Sequence, residues 1–401
     1  MKFNLNSFLM GISIALDLAE HEILHTSLFH SRRVAYIALR IGIGLGLDER
    51  SCFDLVSLGM MHDNGLTEVA MKENLFSQDF DLIKLEAIKE HCSIGEKNIE
   101  SFPFLTAPKN VILYHHEHHD GTGFFGKAGD EIPLMSRILS FADELDFNFN
   151  LTNSSIENQE LIKTFVQQTA GILHNADISE TFMTLSTKTS FWLDMQEITL
   201  NQSLADYIPN ISINVSWQDV FKITEVFSKI IDAKSKFTFR HTSGLIEKVE
   251  LMAKYYNFDE EKVIKLKIAA SLHDLGKLAV PNTILEKNDA LTSDEFETIK
   301  IHTYFTHFTL RNLEGFHEIE RWAYCHHEKL DGSGYPYGFK ADELGFEERL
   351  MACLDIYQAL TEDRPYRAGM SHEETLKIMD SMAEKKLIDA DITKDISSVF
   401  F

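Results

Sequence analysis

The chain has 401 residues, room for one large core or two domains of ordinary size, and 44% apolar with 25% charged residues describe a globular chain that folds on its own. Seven prolines and 20 glycines exclude a fibrous or low-complexity chain. With 38 basic against 62 acidic residues the net charge is −24, so the summed field repels nucleic acid polymers and anionic membranes, and a small anion binds only where metals or clustered cations reverse the local sign.

In chain order, "MKFNLNSFLMGISIALDLAE" reads as an amphipathic first helix rather than a signal, because its only basic residue is Lys2 and no small-residue cleavage site precedes Asp17 and Glu20. "VAYIALRI" places Val34, Ile37, Ala38 and Ile41 on one helical face. The polar run from Asn148 leaves a histidine-rich core, with Ser154 or Ser155 as N-cap of the next helix. About sixty residues of helical pattern follow, up to Pro209, and belong to the first domain as its closing helices. "NISINVSW", from Asn210 to Trp217, is the clearest strand pattern. Helical spacing then resumes, as at Leu245, Val249, Met252, Ala253 and Tyr256. The expectation is an all-α protein of two helical bundles, residues 1–213 and 214–401. No run reaches the ~18 uninterrupted apolar residues a membrane span needs. Cys52, Cys92, Cys325 and Cys353 form no C-x-x-C pair, which points to buried thiols in a reducing, cytoplasmic setting.

The two halves repeat each other. A shift of 211 positions takes His30, His62, His91, His115 and His116 onto His241, His273, His302, His326 and His327. Asp63, Gly65, Asp120, Gly121 and Gly123 fall on Asp274, Gly276, Asp331, Gly332 and Gly334. One residue is gained after this glycine turn, so that Asp143 pairs with Asp355 and Arg137 with Arg349. Five of the eight histidines beyond position 211 are matched, which marks an internal duplication rather than composition.

In the second half His241, His273, Asp274, His302, His326, His327 and Asp355 supply five imidazoles and two carboxylates. That mixture suits iron, manganese or zinc and contains no thiolate. Seven ligands are too many for one ion, but two ions about 3.5 to 4 Å apart and sharing a carboxylate use them all. Any one of these histidines alone is an ordinary core or surface residue; core packing has no reason to reproduce the whole set at one offset. Lys277, Lys287, Arg364 and Arg367 are cations able to neutralise phosphate, or else solvated surface charges. Pro281, Pro336 and Pro365 stiffen the turns that carry these motifs.

"HDLGK" (His273 to Lys277), "HHEKLDGSGYP" and "RPYR" (Arg364 to Arg367) resemble the HD-GYP domain, a branch of the HD metal-dependent phosphohydrolases, over about residues 235 to 370. The resemblance implies two tandem HD-type bundles and hydrolysis of a cyclic dinucleotide, cyclic di-GMP or cyclic GMP-AMP, to a linear dinucleotide. It makes the seven residues metal ligands with Asp274 bridging, sets Asp274 and Lys277 at the chemistry, gives Lys277, Arg364 and Arg367 to the phosphates and Tyr335 to the base pocket. Two departures stand out. Phe237 replaces a Glu that some members use for a third metal, so two divalent ions are expected, iron or manganese before others; Gln358 stands where a second Asp is usual.

The first half resembles an HD domain that kept His30, His62, Asp63, His91, His115, His116 and Asp143 as a second site able to hold metal. Leu66 replaces Lys277, Ala70 replaces Pro281, Phe76 replaces Lys287, "GTGFF" replaces "GSGYP", and no "RPYR" follows. Regulation or dimerisation is therefore the expectation there, with a structural relic left open. Two further readings of the whole remain beside the hydrolase: a nucleotide- or metal-sensing module without turnover, and an HD phosphohydrolase acting on mononucleotides. No nucleic acid polymer and no membrane is an expected partner, and a homodimer stays open.

Overall fold

Helical periodicity is realised along the chain. The computed structural model describes residues 1–24, 26–73, 85–235, 241–287, 289–363 and 368–400, and the protein is all-α. Among the described residues the strands are the two-residue segments Lys2–Phe3 and Ile213–Asn214, the latter inside the alternating run. The chain forms two compact units, Lys2–Ile213 and Asn214–Phe401 together with Met1.

The first unit begins with the helix Leu5–Leu24, which buries Leu5, Phe8, Leu9, Ile12 and Leu16, each worth about 1.5–3 kcal/mol. Its inner face also carries carboxylates. Asp17 accepts from the Ser31 amide at 3.0 Å and the Ser31 hydroxyl at 2.6 Å, fixing the start of the next helix, His30–Gly44. Glu49–Met60, N-capped by Asp48, packs alongside that helix and leads into His62 and Asp63. Leu85–Asn98 carries His91, and Leu134–Asn148 carries Asp143. Ser155 is the N-cap of Ile156–Thr169. The closing helices pack onto His30–Gly44 through aromatic contacts. Tyr36 lies 5.9 Å from Phe191 and 6.3 Å from Tyr207, its hydroxyl donates to Asp194 at 2.7 Å, and the Arg40 guanidinium sits 4.1 Å over Tyr207.

The second unit repeats this plan. Trp217–Ala233, closed by a Ser216–Asp219 capping box, and His241–Tyr255 flank Glu260–Leu272, and Phe346–Thr361 packs on His241–Tyr255. His273 caps Glu260–Leu272 and opens a tight turn over Leu275–Ala279, which lies against Ser293–Leu310. His326 and His327 lie in a 3₁₀ turn that ends the helix His317–Tyr324. All four cysteines are buried free thiols. Among the described residues no helix is long and apolar enough to cross a membrane.

Candidate metal centres

In the second unit helix ends aim the imidazoles at one point. His273 Nδ1 lies 2.8 Å from the Ala270 carbonyl, His302 Nδ1 2.6 Å from that of Ile299, and His326 Nδ1 2.6 Å from that of Ala323. Each Nδ1–H donates to its carbonyl, so the Nε2 lone pairs face inward. Asp274 stands between two sets of nitrogens. Its Oδ2 is 3.2 Å from His273 Nε2, and its Oδ1 is 3.6 Å from His302 Nε2 and 3.8 Å from His326 Nε2. Asp355 Oδ1 is 2.9 Å from His241 Nε2 and 3.8 Å from His273 Nε2, while its Oδ2 is 4.0 Å from His327 Nδ1. The structure therefore brings all seven sequence-selected side chains of this half together.

These residues fit a pair of cations. His302 and His326 point Nε2 at Nε2 across 3.3 Å, although both carry their proton on Nδ1. Two facing lone pairs repel unless a positive charge lies between them. Asp274 Oδ1 and His273 Nε2 are buried without a properly aligned hydrogen bond, at a cost of about 1–3 kcal/mol each. Atoms bound about 2.0–2.3 Å from one ion are themselves about 2.8–3.8 Å apart, the spacing found here. The set divides into His241, His273 and Asp355 on one side and His302, His326 and His327 on the other, with Asp274 reaching both.

The electrostatics differ from group to group. Burial, helped by the neighbouring His327, holds His302 down at about 3, and burial holds His327 at about 4, so both are neutral near pH 7. Burial would lower His241 as well, but hydrogen bonds to Asp355 and Glu362 raise it to about 9. Without a metal His241 therefore holds its proton near pH 7, because carboxylates flank both its nitrogens. Burial opposes ionisation of Asp274, yet His273 and Lys277 bring it well below the usual carboxylate range.

Around this core, the Lys277 ammonium pairs with Asp274 Oδ2. Tyr335 lies 4.9 Å from His327, centroid to centroid. Lys287 is held by Glu295 at 2.6 Å, and Glu295 also closes the Thr292 capping box, so this cation is tied to a helix start. A T-x-x-E signal in the sequence marks that cap. Arg364, Pro365, Arg367, Phe237 and Phe76 lie outside the described residues. The Glu of "HHE" acts as a strap. Glu328 accepts from the amides of Tyr337 at 2.8 Å and Phe339 at 3.1 Å, fastening the glycine turn.

Sequence reading missed Glu362, whose Oε2 receives His241 Nδ1–H at 3.1 Å. One helical turn earlier, Gln358 accepts from Lys248 at 2.6 Å. In the first unit the matching residue is Asp146, and it accepts from His30 Nδ1 at 2.7 Å. The carboxylate behind the first histidine has thus moved by four residues between the halves.

The first unit reproduces the arrangement. His30 Nε2 is 3.2 Å from Asp143 Oδ1, His62 Nε2 3.6 Å from Asp63 Oδ2, His116 Nδ1 3.5 Å from Asp143 Oδ2, and His91 and His115 face each other Nε2 to Nε2 at 3.3 Å. Glu117 straps its glycine turn through the Phe125 and Lys127 amides, as Glu328 does. A Cβ on Gly65 would strike the His91 carbonyl, and one on Gly276 the His302 carbonyl, which explains why both positions are glycine. The surroundings differ. Leu66 packs with Ile23, Val69 and Ala70 in an apolar wall, and the site opens into a cavity of about 300 Å³ lined also by Leu24, Phe124 and Phe147, with no Lys or Arg among the described lining residues. Two donors here were not selected from the sequence. Glu20 Oε1 is 3.4 Å from His30 Nε2, and Cys92 Sγ is 3.7 Å from His91 Nε2.

Comparison with known proteins agrees with this two-part plan. A family model described as HD domain matches residues 18–165 and 225–392. The chain is 28% identical to 3'3'-cGAMP-specific phosphodiesterase 1 of Vibrio cholerae serotype O1, over 87% of this chain and 82% of the relative. It is 27% identical to 3'3'-cGAMP-specific phosphodiesterase 3 of the same organism, over 94% and 91%. The crystal structure of a cyclic GMP-AMP specific phosphodiesterase of V. cholerae superposes with a TM-score of 0.70 at 24% identity, covering 100% of this chain and 98% of the other, and so shares its fold.

Proposed function

The chain belongs to the HD domain family, and from that premise we propose that its second unit is a metal-dependent phosphodiesterase that opens a cyclic dinucleotide to the linear form. 3',3'-cyclic GMP-AMP is the substrate we favour, because two relatives that match both halves of the chain carry that specificity in their names. Cyclic di-GMP is the competing substrate.

The observation that carries this reading is Asp274, whose two oxygens face separate sets of imidazoles. We assign His241, His273, Asp274 and Asp355 to one divalent ion and Asp274, His302, His326 and His327 to a second, with iron or manganese suited to this nitrogen and oxygen set. When bound, such a pair polarises phosphoryl oxygens and lowers the pKa of water. The protein supplies position. Carbonyl partners on three Nδ1 atoms keep the imidazoles in register, and Glu362 does the same for His241. Lys277 is the cation that follows a phosphate oxygen as charge develops on it. Tyr335, beside His327, walls one side of the base pocket. Arg364 and Arg367 are assigned to the flanking phosphate. In an acidic chain these groups provide the reversal of local sign that a dinucleotide needs.

The first unit has an apolar cavity and Leu66 where this chemistry needs Lys277, so we assign it a regulatory role without dinucleotide turnover. The test is chromatography of digests by the full chain, prepared anaerobically with Fe²⁺ or Mn²⁺. It uses 3',3'-cyclic GMP-AMP, cyclic di-GMP and a nucleoside monophosphate. A linear dinucleotide, lost in Asp274→Ala, is the expected result. Intact ring bound by metal-loaded protein would establish the sensing module instead, and dephosphorylated monophosphate the mononucleotide reading.

A further inference from the structure

We propose that the first unit holds a metal centre of different chemistry, a zinc-class ion bound by the Cys92 thiolate together with Asp63, His91 and His115. This does not depend on the hydrolase reading of the second unit.

His91, Cys92 and His115 converge there, and Asp63 Oδ1 meets the two imidazoles. His91 Nε2 is 3.3 Å from His115 Nε2 and 3.7 Å from Cys92 Sγ, and Asp63 Oδ1 is 3.1 Å from His91 Nε2 and 3.4 Å from His115 Nε2. A tetrahedral ion with bonds of about 2.0–2.3 Å sets its donors about 3.3–3.8 Å apart, longest where sulfur takes part. His115 Nδ1 donates to the Ile112 carbonyl at 2.5 Å, which turns its Nε2 lone pair toward His91. Asp63 Oδ1 is buried without a properly aligned hydrogen bond, an oxygen aimed at the two imidazole nitrogens. Cys92 itself is fully buried, as are His91 and His115. His91, Cys92, His115 and His116 place their donor atoms within 4.8 Å of one another.

Among the described residues of the second unit no metal-capable cluster includes a thiol. Thr303 stands at the position that matches Cys92, and its hydroxyl donates to the Lys300 carbonyl at 3.0 Å. One centre therefore offers only nitrogen and oxygen donors and the other adds sulfur. Thiolate selects zinc over the harder manganese, so two centres built by one duplication sort different ions. Asp63 Oδ2 lies 3.6 Å from His62 Nε2, on the side where His30, His62 and Asp63 place donor atoms within 4.8 Å of one another.

The test uses the full chain, stripped by chelation and titrated anaerobically with Co²⁺ as a spectroscopic stand-in for zinc. A thiolate-to-cobalt charge-transfer band should appear in the near ultraviolet. It should vanish in Cys92→Thr and persist in Cys325→Ser and in Asp274→Ala, which report on the second unit. In parallel, X-ray absorption of wild-type protein loaded with one equivalent of Zn²⁺ needs no variant to fold, and should give one sulfur at about 2.3 Å. Absence of the band in wild type, its persistence in Cys92→Thr, or a zinc shell of nitrogen and oxygen alone would overturn the proposal.

Discussion

Glu362 offers the sharpest test of how the second centre is held. Its side chain is only 8% exposed, and Oε2 accepts the His241 Nδ1 proton at 3.1 Å, while His241 Nε2 faces Asp355 at 2.9 Å. Glu362→Ala removes both the orienting bond and the charge that strengthens Nε2 as a donor. Losing a partner behind a ligating histidine costs about 10–100-fold in metal affinity, or about 1.4–2.7 kcal/mol. Glu362→Gln keeps an acceptor and loses only the charge, so its loss should be smaller. The assay is competition for Mn²⁺ against a chromophoric chelator, followed by turnover at saturating metal. Turnover should recover once metal is in excess, because Glu362 reaches the reaction only through His241. Wild-type affinity in Glu362→Ala would refute this account of the site.

Other predictions follow from the same geometry. Stripped of metal, the protein should be most stable near neutral pH. His302 and His327, held at about 3 and about 4, must gain protons on unfolding below about pH 6.5, so stability falls as pH drops from there; His241 and His91, each raised to about 9, contribute fully below about pH 6.5, and that contribution is lost as pH rises through 9. Thermal melts across pH check this, and a monotonic dependence would contradict it. Lys277→Met should lower kcat/KM about 100-fold while leaving metal content unchanged; steady-state kinetics beside metal analysis decides. Gly276→Ala should destabilise the second unit by about 1–3 kcal/mol, because the new methyl meets the His302 carbonyl, as a denaturant titration would record.

The helical class and the duplication were legible because histidine is scarce and its spacing repeats. The convergence of the candidate side chains was legible for the same reason, since both copies close around matched residues. Cys92 was not, because the repeat holds Thr303 at that place and only the rotation of Leu85–Asn98 brings its sulfur beside His91. Glu362 escaped for a related reason. The first unit keeps Asp146 at the usual position, and a shift of one helical turn erases the pattern while preserving the contact. Glu20 reaches His30 through a bend between two helices, which no spacing rule encodes. Charge alone left Lys287 open between a phosphate cation and a surface charge, and the structure pairs it with Glu295 at a helix cap.

Anomalous diffraction from crystals of the manganese-loaded chain tests the central claim most directly. Two peaks about 3.5 to 4 Å apart, one on each side of the Asp274 carboxylate, are predicted for the second unit. A single peak, or a pair that does not share Asp274, would contradict it.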